Sequence, residues 1–267
     1  MTGLAVLILC ALLALCAPLL ASARGLDVTR ASGPLLAGPS LAYPLGTDAT
    51  GRSVLTLALW GARMSLLVGL VAALLSTAVG AGVGVLAAQL GGLPGVALMR
   101  LTDWFLVLPA LPLAITLATA LGRGMLTIVL VVALTYWPST ARLVWAQALA
   151  IGGRGYLERA RALGAGHWWQ ISRHILPGVL PVVLASSTLM VANAILLEAT
   201  LAFLGLGDPN HVSWGTMLRA ALTSGAVTAG AWWYLLAPGL AIVVVVLAFT
   251  LCGRAVEAAL GPELTGR

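Results

Sequence analysis

Charged side chains make up 8% of the 267 residues. The densest set lies between Trp145 and Ile175: Arg154, Glu158, Arg159, Arg161 and Arg173. Glu158 and Arg161 stand three apart, so they can pair on one helical turn. Arg100 and Asp103 share that spacing. Glu198 falls near the end of a long apolar run, where an acid is a functional suspect because lipid penalises its charge. None of this amounts to catalysis. His167, His174 and His211 all fall in loops, so no imidazole stands beside a hydroxyl nucleophile inside an apolar bundle. Cys10, Cys16 and Cys252 sit in apolar runs without the spacing of a metal site or a disulfide framework. No catalytic residue and no metal-ligand set is expected. Lysine is absent altogether, which excludes a Walker A loop; any ATP that drives this protein is hydrolysed on another chain.

The elements that position these residues must lie in lipid. Apolar residues make up 61% of the chain and mean hydropathy is +1.06, whereas a soluble domain carries roughly 25% charged residues. Such a chain cannot cover a surface that faces water. The net charge of +6 comes from arginines scattered between apolar runs, as in the flanks of membrane spans, and this pattern excludes nucleic acid as a partner.

A spanning helix needs about 20 apolar residues. Residues 1–23 carry no charge and read as a first span; because Ala21-Ser22-Ala23 resembles a small-residue cleavage site, a cleaved signal is the alternative, although its basic leader is missing. Residues 24–63 form an outer loop, with a short interfacial helix from Val54 to Trp60. Residues 64–255 hold five further spans, near 65–88, 96–121, 125–144, 176–203 and 232–252, and residues 256–267 form a tail. Pro109 and Pro112 should kink the third span. Arg100 and Asp103 are expected to pair at its start. Residues 205–231 are mixed and could partly dip back into the membrane.

Six spans put both termini on one side. With that side cytoplasmic, the arginines divide eight inside (Arg100, 142, 154, 159, 161, 173, 254 and 267) to six outside (Arg24, 30, 52, 63, 123 and 219). The cluster in the short loop 145–175 decides the orientation, because short loops govern it.

Within that loop, Gly155 to Gly164 reads as a short amphipathic helix, with Leu157, Ala160 and Leu163 or Gly164 on one face and Gly164 as the left-handed stop. A second amphipathic piece, His167 to Ile175, leads to Pro177, tolerated in the first turn of the fifth span. A helix of about eight residues is marginal alone, so something is expected to dock on it.

Glu158-Arg159-Ala160-Arg161-Ala162-Leu163-Gly164-Ala165-Gly166, followed by Arg173-His174-Ile175-Leu176-Pro177, resembles the EAA loop of permease subunits of binding-protein-dependent ABC importers. Further stretches resemble the dipeptide, oligopeptide and nickel group, in the subunit type with a long first outer loop: Leu45-Gly46-Thr47-Asp48 with Gly51-Arg52, Gly61 to Leu66, and Glu198-Ala199 with Phe203 to Gly207 and Trp214 to Met217. The resemblance covers about residues 41–255. Arg159 departs from it, standing where the Glu-Ala-Ala triplet has alanine.

The resemblance implies an all-α membrane protein of six transmembrane helices, with the type I ABC importer permease architecture and a short cytoplasmic coupling helix. It implies a bacterial inner-membrane location with both termini cytoplasmic. The expected partners are a second, unlike permease, two cytoplasmic ATPases that bind the ATP and Mg, an extracytoplasmic solute-binding protein, and lipid; no cofactor is expected on this chain. Glu158, Ala160, Arg161 and Gly164 become the ATPase-coupling residues. Asn193, Glu198 and Ser187 are translocation-path candidates. Packing is the alternative for all three, against other helices for Asn193 and Ser187 with Ser186 and Thr188, and against the outer loop for Glu198. Asp48, Arg52, Asp208 and Trp214 are binding-protein contact candidates, although the segment Gly205 to Met217 could simply close the bundle. The cargo is a small peptide, nickel or a metal chelate. The competing readings are a stand-alone ion-coupled carrier, which needs more intramembrane carboxylates or histidines than this chain offers, and, last, an intramembrane protease.

Overall fold

The computed structural model describes residues 2–264, the side chains of residues 2 and 260–264 excepted; Arg267, assigned to the inner face above, lies outside these residues. In chain order the helices are α1 (Thr2–Leu15), α2 (Ala17–Leu20), α3 (Val54–Leu90), α4 (Gly92–Val107), α5 (Ala110–Leu121), α6 (Met125–Gly152), α7 (Gly155–Ala162), α8 (His167–Gln170), α9 (Leu176–Phe203), α10 (Trp214–Thr223) and α11 (Trp232–Leu264). Among the described residues there is no sheet, only an isolated antiparallel bridge between Thr47 and Ser53.

The surface is inverted relative to a water-soluble bundle. Ala72, Ala73, Ala114 and Ala141 are fully or almost fully buried, whereas Leu70, Leu74, Leu86, Leu247 and Leu251 are exposed. Lipid solvates leucine as well as a neighbouring helix does, so helices in a membrane meet through small residues that permit close approach. The α3–α6 contact shows why. A Cβ on Gly80 would stand 2.5 Å from the Trp137 carbonyl oxygen, and one on Gly84 would stand 2.5 Å from that of Ala141.

The helix α3 has 37 residues, about 55 Å at roughly 1.5 Å per residue, far more than the ~30 Å of hydrocarbon. It therefore absorbs the interfacial helix expected over Val54–Trp60. Gly61, which follows the expected interfacial helix, lies inside α3 as a contact point, where a Cβ would meet the Trp214 ring at 3.1 Å. The third span is broken rather than kinked: α4 and α5 meet at 95°. Leu108 is extended before Pro109 (φ −72°, ψ 129°), because the proline ring excludes helical backbone at the preceding residue.

Helices α3, α6, α11 and the run from α8 through α9 are long and apolar enough to cross a membrane, and the bent α4–α5 pair makes a fifth candidate. The expected first span is a 14-residue helix, α1, packed on α11 and α3 and broken from α2 at Cys16. At about 21 Å it is short of the hydrocarbon thickness. The helix α6 runs past the expected end at Val144 to Gly152, and α11 continues through the expected tail to Leu264.

These lengths put the polar connections at two ends of the bundle. Residues 21–53, 122–124 and 204–231 gather at one end, and the turn at Gly91 and residues 153–175 gather at the other.

Candidate functional site

At the second end, α7 hangs between α6 and α9. Arg154 is extended (φ −73°, ψ 135°), which turns the chain out of α6. Leu157 is fully buried and packs with Val144, Ala148, Ile151, Ile175 and Val179, so one apolar anchor fixes the helix to the bundle. Its C-terminus is a Schellman stop: the Gly164 amide donates to the Arg161 carbonyl at 2.9 Å and the Ala165 amide to the Ala160 carbonyl at 2.9 Å. Gly164 has φ +87°, the left-handed conformation that a side chain disfavours.

The expected Glu158–Arg161 pair is not formed. Arg161 turns toward the bundle instead: Nη2 donates to the Gly152 carbonyl at 3.0 Å and Nε to Gln170 Oε1 at 3.0 Å. Gln170, 2% exposed, returns its amide to the Ala165 carbonyl at 2.8 Å. One guanidinium thus ties the end of α6 to α7 and α8 by satisfying a terminal helix carbonyl that α6 cannot bond itself. A second tie joins Gln89 Nε2 and His167 Nδ1 at 2.7 Å, from the end of α3 to α8. From α8 the chain passes into α9 through a single π-helical segment, Ile171–Ile175, a geometry that recurs at functional sites.

The remainder of α7 faces outward. Glu158 and Arg159 are exposed, without a salt bridge among the described residues, and Ala160 is half-buried. Leu163, expected on the same face as Leu157, is 88% exposed; the helix stops at Ala162, and the turn carries Leu163 away from the anchor. Trp168 is also exposed.

At the opposite end, Asp48 is a hub. Its Oδ1 accepts from the Thr50 and Arg52 amides (2.9 and 2.8 Å), and Oδ2 accepts from Arg52 Nε and Nη2, both at 2.8 Å. Arg52 reaches on to the Leu26 carbonyl at 3.1 Å. This charge-assisted pair, with both guanidinium nitrogens on one oxygen, is spent inside the loop, with Asp48 1% exposed, and does not stand on the surface as a contact with another protein requires. Trp214 is likewise internal. It is 3% exposed, and its indole donates to the Ala58 carbonyl at 3.1 Å. Asp208 closes the third connection: Oδ2 accepts from the Met125 amide at 3.2 Å and from His211 Nδ1 at 2.9 Å, and Oδ1 from the Asn210 amide at 2.9 Å. Burial works to raise its carboxyl, but the Asn210 amide, His211 and the Met125 amide together hold it below its ordinary value.

The three path candidates do not converge. Glu198 is 2% exposed and accepts from Ser65 Oγ at 3.1 Å, while the same hydroxyl accepts from the Trp214 amide at 3.2 Å; the acid packs beneath the loop that begins α10. Asn193 is exposed, about 140° around α9 from Glu198 at ~100° per residue. Ser187 is half-buried and donates back to the Leu184 carbonyl at 2.8 Å, as Ser186 and Thr188 do to Val183 and Ala185. Asp103 pairs with Arg142 on α6 at 2.6 Å, not with Arg100, because the contact between α4 and α6 brings a second cation closer than the next helical turn does. Among the described residues no group of three or more His, Cys, Asp or Glu could hold a metal ion.

Residues 80–266 match the family described as "Binding-protein-dependent transport system inner membrane component". The chain belongs to this family. It is 39% identical over 227 residues, 85% of this chain and 75% of the relative, to a protein of Brucella suis biovar 1 (strain 1330) named as a peptide transport system permease. It is 34% identical over 230 residues, 86% of this chain and 76% of the relative, to one of Escherichia coli (strain K12) named as a D,D-dipeptide transport system permease protein.

As a member of that family the chain is a non-catalytic permease subunit of an ABC importer in the inner membrane, working with ATPase and binding-protein partners. The permease fold also shows what composition and spacing hid. Gln89, Gln170 and Ser65 are uncharged and isolated in the sequence, yet Gln89 and Ser65 bond to partners 78 and 133 residues away, and Gln170 joins α8 to Arg161 and Ala165. A polar side chain inside an apolar run was the available signal.

Proposed function

We propose that α7 is the coupling helix of a peptide importer. Glu158, Ala160, Arg161 and Gly164 take the stroke of a cytoplasmic ATPase pair, which binds ATP and Mg, and pass it to α9. A second, unlike permease completes the membrane part, and an extracytoplasmic solute-binding protein delivers cargo to the end built from residues 21–53 and 204–231. The supporting observation is that α7 is exposed along one face while Leu157, Arg161 and Gln170 brace it rigidly to α6 and α9. A helix that only marked the positive-inside side needs no such brace.

This reading makes the α7 end cytoplasmic. Both termini then share that side, because α11 runs toward it and Gly3 packs beside Ala248, Leu251 and Cys252. The relatives' names favour peptides as cargo over nickel or metal chelates. Asn193, exposed on α9, faces a pathway shared with the second permease. The test is co-purification of the ATPase and uptake of labelled peptide with wild type, Glu158→Lys and Gly164→Pro. Loss of association or uptake is expected in both variants; unchanged association and uptake in both remove the coupling role.

A further inference from the structure

A cavity of about 660 Å³ opens at the end opposite α7, between the start of α3, the start of α6, the loop before α10, and α11. Its volume lies in the range of about 300–1,000 Å³ typical of small-molecule sites. Leu57, Met64 and Met217 give it an apolar lining.

Its polar groups are unevenly satisfied. Arg52 on the wall is neutralised by Asp48. Arg63 is exposed on the same wall and makes no salt bridge among the described residues. Its guanidinium lies 5.8 Å from the centroid of the Trp60 ring, and that ring is held in turn by an indole bond to the Ala21 carbonyl at 3.0 Å. Tyr234 also lines the cavity. It is 2% exposed overall, and its hydroxyl, which makes no hydrogen bond among the described residues, is not itself sealed from solvent. Asp208, with its three donors, also lines the cavity.

We propose that this cavity holds the carboxylate end of a short peptide, with the Arg63 guanidinium and the Tyr234 hydroxyl as its donors. A guanidinium fork and a phenol both donate and neither competes as an anion, and a carboxylate accepts from both. The aromatic face of Trp60 keeps the guanidinium in place without neutralising it. Asp208, also on the cavity lining, repels a second carboxylate and favours the end of the peptide that carries its ammonium group. The site rests on the peptide reading above and adds to it a direct contact between permease and cargo.

The experiment is saturation-transfer NMR on the purified permease–ATPase assembly without the binding protein, using Ala-Ala and Ala-Ala amide as probes. Wild type is expected to bind Ala-Ala, and the amide about ten-fold more weakly, the loss expected for a charge-assisted hydrogen bond. Arg63→Gln and the nearly isosteric Tyr234→Phe are expected to weaken Ala-Ala by a similar factor and leave the amide unchanged, with the ATPase still co-purifying. Equal binding of acid and amide by wild type, no binding of Ala-Ala by wild type, or undiminished binding of Ala-Ala by both variants overturns the site. Peptide uptake by the full importer is measured beside it: uptake that persists when the site fails leaves the importer reading intact, whereas a full importer that takes up no peptide overturns both.

Discussion

At the residue scale, the acids and arginines of this chain are mostly spent on holding loops to helices. Asp208 shows it best, because one carboxylate closes the turn to Asn210 and His211 and also satisfies the Met125 amide at the start of α6, where helix amides lack partners and attract negative charge. Its carboxyl is held below its ordinary value. The stability it lends is therefore present above the unfolded pKa of about 4 and lost as pH falls through the lower folded value. Hydrogen exchange at the Met125 and Asn210 amides should stay slow from neutral pH through pH 4 and accelerate only at lower pH, beyond the intrinsic pH dependence of exchange. Asp208→Asn should abolish that acid transition. Asp208, Asp48, Arg52 and Trp214 were visible as chemistry-bearing residues in the sequence. Their inward orientation was not, because a spacing such as Asp48 to Arg52 shows that two charges can meet but not that they consume each other.

At the element scale, α7 matters through its attachments. Leu157 supplies an apolar anchor, and Arg161 with Gln170 supplies a polar one. The existence of α7 and its stop at Gly164 were legible, since a short amphipathic pattern ending in glycine has few other solutions. The Arg161 brace was hidden by an equally good local partner, Glu158 three residues back. The tertiary alternative won because Arg161 can reach the free Gly152 carbonyl and Gln170 together. Arg161→Ala removes both bonds, each worth about 1.5–3 kcal/mol as a charged hydrogen bond, while leaving the exposed face of α7 unchanged. The expected result is an ATPase that still co-purifies and still hydrolyses ATP, with peptide uptake per ATP reduced about ten-fold or more. Loss of ATPase association instead would make Arg161 part of the contact rather than of the brace.

At the scale of the whole molecule, the division into apolar spans was readable from charge-free runs, but their ends were not. The helix α3 runs through Gly61 because the Trp214 ring lies against it, and the third span breaks at Pro109 by 95°, more than a kink in one rod. Both features come from contacts between helices and from the backbone before proline, which hydropathy does not record. The resulting bundle places a braced foot, α7, at one end and a looped cap over a cavity at the other. In the proposed importer this foot meets an ATPase. A photo-crosslinking side chain placed at Leu163, 88% exposed at the tip of α7, tests it most directly in the assembled importer. A crosslink to the ATPase subunit is expected; a crosslink to the solute-binding protein, or none to any other chain, rules out the coupling role of α7.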